Sequence, residues 1–185
     1  MVPSSRVRVS QPRITPWICR LFFCFGLLWS TADAAPHGVT LYADPQRAPN
    51  FSLPDTAGKT HTLDHYRGKI LIVNFWSTWC QPCRREMPSL LNASQTPRQH
   101  GIQILAISVS DTREEVVAFA KRYEVDFPLL LDTQASLVGP WSVTCLPSAY
   151  VVDCTGQIVL GIAGASDWED AELLRQVQAL GGNEK

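Results

Sequence analysis

"NFWSTWCQPCRREMPSL", Asn74 to Leu90, is the stretch on which the fold turns. It begins inside "KILIVNFW", a nearly continuous apolar run of the kind that forms a strand buried on both faces. Met87, Leu90 and Leu91 then recur at helical spacing, so Cys80 and Cys83 stand where a strand hands over to a helix. Upstream, "FSLPDTAGKTHTL" has two short extended pieces around the turn signal Asp55 to Gly58 and predicts a β-hairpin. Downstream come a second strand, "IQILAISVS", and an amphipathic helix, "TREEVVAFAKRY", with Val116, Val117, Phe119 and Ala120 as its apolar face. "FPLLLD" is a short apolar piece, and "SAYVVDCTGQIVLGI" reads as two strands joined at Asp153 to Gly156. "DWEDAELLRQVQALGG" predicts a last helix whose acidic first turn suits its dipole and whose Gly181 stops it. This order implies an α/β fold: a mixed central sheet with helices on both faces and an added N-terminal β-hairpin.

The chain has 185 residues, 45% of them hydrophobic and 18% charged, enough for one globular domain and some extra material. The extra material is at the front. Arg6, Arg8, Arg13 and Arg20 precede the apolar run "LFFCFGLLWS", and Ala32-Asp33-Ala34 supplies small residues for cleavage. Residues 1–34 therefore read as a secretory signal peptide. The alternative is an uncleaved membrane anchor, although the run is far shorter than the ~20 residues of a spanning helix. Residues 35–50, rich in Pro and Ala, read as an N-terminal tether, and 51–185 as the domain. Without residues 1–34, twelve basic and sixteen acidic residues remain, a formal charge of −4 and no footprint for nucleic acid. Four cysteines also remain, Cys80, Cys83, Cys145 and Cys154, in an exported compartment where disulfides persist.

The chemistry of the Cys80/Cys83 pair narrows by elimination. Zinc needs about four ligands, and neither Cys145 and Cys154 nor the upstream His61 and His65 supply a matching second pair. Haem attachment needs His directly after the second cysteine, where Arg84 stands. A structural staple between residues three apart would restrict the unfolded chain very little. A redox couple explains more. At a helix N-terminus the unpaired N–H groups and the dipole favour a thiolate, and such positions lower a cysteine pKa into the range of about 3.5–7.5. Cys80 would be the nucleophile and Cys83, one turn further in, would resolve the mixed disulfide. Pro82 in the first turn has no useful N–H to lose.

"FWSTWCQPC" resembles the thioredoxin superfamily, and the wider stretch from Ala48 to Leu180 is similar to its exported TlpA/ResA-type branch of thiol-disulfide oxidoreductases, which includes cytochrome c maturation reductants. The resemblance implies a thioredoxin-like fold, the dithiol as active site, and a cis proline opposite it, Pro147. With Trp79 and Leu146, that proline would bind substrate, Leu146 through backbone hydrogen bonds to a bound strand. Classical thioredoxins carry a buried aspartate six residues before the first cysteine, and Asn74 occupies that position. Glu86 lies three residues after Cys83, so the two share a helix face. The resemblance casts Glu86 as a third catalytic residue that accepts the Cys83 proton, against a solvated glutamate beside Arg84 and Arg85. Pro88 is expected to kink the helix. Where the branch usually has glycine, two residues before the proline, this chain has Cys145, read either as a small buried hydrophobe or as a second redox partner for Cys80.

The function implied is a periplasmic thiol-disulfide oxidoreductase acting as reductant on protein disulfides, with no metal and no cofactor. A membrane-embedded electron donor and a monomeric state are expected with it. A peroxiredoxin-type thiol peroxidase is the second reading: Ser77 could serve as its hydroxyl, but Val73 stands where its proline belongs. A non-catalytic thioredoxin-fold binding module is the third.

Overall fold

The computed structural model describes residues 38–99 and 101–180, without the side chains of 96–99. The expected signal peptide, residues 1–34, and the expected helix stop at Gly181 lie outside the described residues. Among the described residues no helix is long and apolar enough to cross a membrane.

Among the described residues, eight strands and three α-helices follow one another as β1 (Gly38–Arg47), β2 (Ser52–Pro54), β3 (Thr60–Thr62), β4 (Ile70–Trp76), α1 (Gln81–Gln99), β5 (Ile102–Val109), α2 (Arg113–Tyr123), β6 (Leu129–Asp132), β7 (Ser148–Val152), β8 (Gln157–Ala163) and α3 (Ala171–Ala179). Six strands form one mixed sheet in the order β1-β8-β7-β4-β5-β6. β4 is its centre, buried at every position. It runs parallel to β5 and antiparallel to β7. β2 and β3 form the hairpin, as the turn chemistry predicts: Asp55 Oδ1 accepts from Ala57 N at 2.8 Å and Lys59 N at 2.9 Å, and Gly58 takes φ +88°.

Alternate residues of the sheet feed two cores. Ile72, Trp76, Ile104 and Val151 pack with Met87 and Leu90 of α1, Val116 and Phe119 of α2 and Leu173 and Val177 of α3. Leu71, Val73, Phe75, Ile107 and Leu130 face Phe51, Leu63, Leu137 and Trp141 on the other side. The expected helices on both faces are not found: among the described residues α1, α2 and α3 all pack on one face. β4-α1-β5-α2-β6 steps one way across the sheet, and right-handed crossovers put both helices on one face. The other face is covered by the hairpin, the 3-10 turn Leu63–Tyr66 and the turns from Ala135 to Val143. Leu90 is 0% exposed; Leu90→Ala is expected to cost about 2–5 kcal/mol of stability, read by denaturant unfolding.

Three expectations need correction. Residues 35–50 are not merely a tether, because Gly38–Arg47 forms edge strand β1 against β8. Its signal was hidden because an edge strand needs only backbone pairing, and its register shifts between Leu41 and Gln46, a gap that accommodates Pro45. The fit is close: a Cβ on Gly161 of β8 would come within 2.9 Å of Tyr42 Oη. Val117 is 41% exposed and is no part of the α2 apolar face, which Val116 and Phe119 make at i, i+3 spacing. The last helix begins only at Ala171, because Asp170 Oδ1 caps it, accepting from Glu172 N at 2.8 Å and Leu173 N at 2.9 Å. Pro88 does not end α1, which continues to Gln99. His61 is a core histidine, its ring between Asp55 Oδ2 at 2.9 Å and Tyr66 Oη at 2.6 Å.

Candidate active site

The site forms where three chain segments meet at one end of the sheet. β4 ends at Trp76, and Ser77 to Cys80 turn from it into α1. Trp76 pairs with Ser108 of β5, so Asp111, three residues on, comes alongside that turn. β7 runs the opposite way and pairs its first residue, Ser148, with Phe75, which brings Leu146 and Pro147 to the same place. The Leu146–Pro147 peptide bond is cis, as the resemblance implied.

Cys80 and Cys83 are joined in a disulfide with Cα atoms 5.3 Å apart. Cys80 stands immediately before α1, its carbonyl accepting from Arg84 N at 3.1 Å. Its Sγ accepts from Cys83 N at 3.2 Å, so sulfur takes the part that a capping oxygen usually plays. The unpaired N–H groups of the first helical turn therefore point at the residue whose anion they would stabilise. Cys83 is 1% exposed. Cys80 lines an apolar groove of about 590 Å³ with Trp79, Pro82, Val109, Val138 and Leu146, and Cys83 does not. Trp79 is 66% exposed at its mouth. Cys80 is 5% exposed and borders this groove.

Glu86 is buried, not solvated beside Arg84 and Arg85, which are exposed. Its Oε1 accepts from Trp168 Nε1 at 2.7 Å and Ser166 N at 3.1 Å, and its Oε2 from Asn74 Nδ2 at 3.3 Å. Burial pushes the Glu86 carboxyl above its ordinary value, and the bonds from Trp168, Ser166 and Asn74 hold it partly down. A buried carboxyl of this kind, one turn beyond Cys83, is equipped to take and return a proton. Asn74, in the aspartate position of classical thioredoxins, is buried and bound to that carboxyl.

Cys145 is exposed, against the expectation of a small buried hydrophobe. It falls in the loop before β7, where no second layer covers it, and lines the same groove as Cys80. Its Sγ lies 3.8 Å from both Pro147 O and Ser148 Oγ. Cys154 is half-buried in the turn beyond β7 and unbridged. In the oxidised protein a maleimide should add first at Cys145 and more slowly at Cys154, with mass mapping as the check.

Sequence reasoning missed Asp111 and Trp168. Asp111 carries no motif, since its partners Ser77, Thr78 and Ser108 come together only through strand register. Trp168 had a faint signal, a lone tryptophan among Asp167, Glu169 and Asp170, which reads as a buried anchor.

A thioredoxin-like fold with a two-cysteine disulfide at a helix start, facing a cis proline, defines the class of dithiol–disulfide exchange proteins. The comparisons agree. A model of the AhpC/TSA family matches residues 45–160. The thiol-disulfide oxidoreductase ResA of Geobacillus kaustophilus is 37% identical over 133 residues, covering 72% of this chain and 76% of that protein. ResA of Bacillus subtilis is 33% identical over 153 residues, covering 78% and 86%. The crystal structure of a thioredoxin-family thiol:disulfide interchange protein from Chlorobium tepidum TLS matches with a TM-score of 0.66 and 29% identity, over 76% of this chain and 99% of that one. The chain belongs to the AhpC/TSA family, among its ResA-like thiol-disulfide oxidoreductases. It is an enzyme of thiol–disulfide exchange.

Proposed function

We propose that this chain is exported to the periplasm by residues 1–34 and there reduces disulfides of protein substrates, cytochrome c precursors or related thiol proteins among them. Cys80 attacks the substrate disulfide, one substrate sulfur leaves as a thiol, and the other stays bonded to Cys80. Glu86 takes the proton of Cys83, whose thiolate displaces the substrate and closes the Cys80–Cys83 disulfide. Trp79, Leu146 and Pro147 hold the substrate strand across the groove. A membrane-embedded donor returns two electrons and two protons to the pair.

The observation that carries this reading is the division of the two sulfurs: Cys80 faces the groove, while Cys83 lies behind it on the helix face that carries buried Glu86. A peroxidase reading draws on the AhpC/TSA match, yet it uses neither the peptide-sized groove nor the paired Cys83. Trapping tests the proposal. A Cys83→Ser variant expressed in the native host should accumulate exported proteins bonded to Cys80, released by dithiothreitol. Peroxide consumption by the reduced protein, with no such adducts, would favour the peroxidase instead.

A further inference from the structure

Asp111 is a buried acid that the exchange reaction leaves unused. It is 2% exposed, just beyond the end of β5. Oδ1 accepts from Ser77 Oγ at 2.9 Å and Thr78 Oγ1 at 2.7 Å. Oδ2 accepts from Thr78 N at 2.9 Å and from Ser108 Oγ. Among the described residues no Lys, Arg or His pairs with it. Four donors satisfy the carboxylate, and three of them belong to the turn that leads into Cys80. The chain bends sharply to deliver it: Ser110 takes φ +62°, a left-handed conformation that residues other than glycine seldom adopt.

We propose that Asp111 is a positioning residue for Cys80: it pins the Ser77–Thr78 turn that presents the sulfur, and its uncompensated charge behind that turn disfavours the thiolate and keeps the pair reducing. The inference rests on Cys80 as nucleophile. Cys80 is two residues past Thr78, so at ~3.5 Å per residue its backbone is within about 10 Å of the carboxylate. At that range a charge acts on the order of one pKa unit on a partly buried group. The Cys80–Cys83 disulfide becomes a dithiol by gaining two electrons and two protons, less the proton a Cys80 thiolate gives up. Whatever disfavours that thiolate disfavours the reduced form, so the dithiol gives up its electrons more readily.

Other charges face Cys80 as well. The N-terminal end of α1 favours its thiolate, and exposed Arg84 and Arg85 on α1 act in the same direction. Glu86 on α1 opposes it as a carboxylate. Cys83 and Cys145 bring two further thiols. Asp132, at the end of β6, is held by Ser136 N, Ser136 Oγ and Leu137 N. Of these acids only Asp111 is tied directly to the turn that carries Cys80.

The test compares Asp111→Asn, which keeps the side-chain shape and drops the charge, with the unsubstituted protein. Iodoacetamide alkylation of the reduced proteins is followed against pH, with Cys80 identified by mass mapping, and the dithiol–disulfide equilibrium is measured in glutathione buffers. The midpoint for Cys80 should fall by about one pH unit. The equilibrium should move up to ~10-fold toward the dithiol, roughly 30 mV less negative. A folded Asp111→Asn protein with both readouts within twofold of the original overturns the proposal. If that variant does not fold, Ser77→Ala and Thr78→Val decide. Each keeps the charge and removes one hydroxyl that stabilises it, so the Cys80 midpoint should rise; an unchanged or lower midpoint overturns it. Cys80→Ser is the control. Exchange surviving in that protein refutes the nucleophile reading, while the alkylation shift still reports on Asp111 separately.

Discussion

Replacing Cys80 with serine is expected to lower disulfide reduction by on the order of 10³-fold or more, because among the described residues no other thiol has both the helix start beside it and the groove in front of it. Replacing Cys83 is expected to do something different in kind. The first attack still occurs, since Cys80 faces the groove, but no buried sulfur follows to displace the captured chain. A mixed disulfide then accumulates, one equivalent per protein. Insulin reduction measures the first effect and non-reducing electrophoresis the second. If both variants kept full turnover, a dithiol mechanism could not be right.

Glu86→Gln should give the next largest effect, a fall of ~10²–10⁴-fold in the rate at which Cys83 clears the mixed disulfide. The pH dependence carries the sign. Burial raises the Glu86 carboxyl, and only its ionised form accepts a proton. Resolution by the unsubstituted protein should therefore speed up as pH climbs through that raised value, and the glutamine variant should lose this rise. Stability runs the opposite way. Between the ordinary glutamate range and the raised value, folded Glu86 keeps a proton that the unfolded chain has released, so its contribution to stability declines as pH increases through that window. Glutamine still offers Trp168 Nε1 an oxygen, so the fold should persist while both pH dependences flatten. Stopped-flow decay of a Cys80–glutathione adduct reads the rate. An unaltered rate and profile in the variant would return Glu86 to a purely structural role.

Much of this architecture was legible because it is local. An apolar run such as Ile70–Trp76 reads as a buried central strand, and Met87, Leu90 and Leu91 at helical spacing put the cysteine pair at a helix start. The Asp55–Gly58 and Asp153–Gly156 turns declared themselves through side-chain acceptors and glycines at positive φ. What stayed hidden depends on register or on the far side of the sheet. β1 exists because β8 offers it an edge, which no property of Gly38–Arg47 announces. Glu86 is set apart from its charge run only by the family resemblance, and it is buried because Trp168, eighty-two positions later, folds over it. Asp111 faces Ser77 and Thr78 only once β4 and β5 are paired. The buried reading of Cys145 fails because the loop before Pro147 leaves it open to the groove, although a cysteine near a strand usually packs inside.

The central claim is that the two sulfurs have different jobs, and limited alkylation of the fully reduced protein at neutral pH tests it most directly. With iodoacetamide below one equivalent and peptides counted by mass, the adduct at Cys80 should exceed that at Cys83 by tenfold or more. Equal labelling of the two, or a preference for Cys83, would contradict the account.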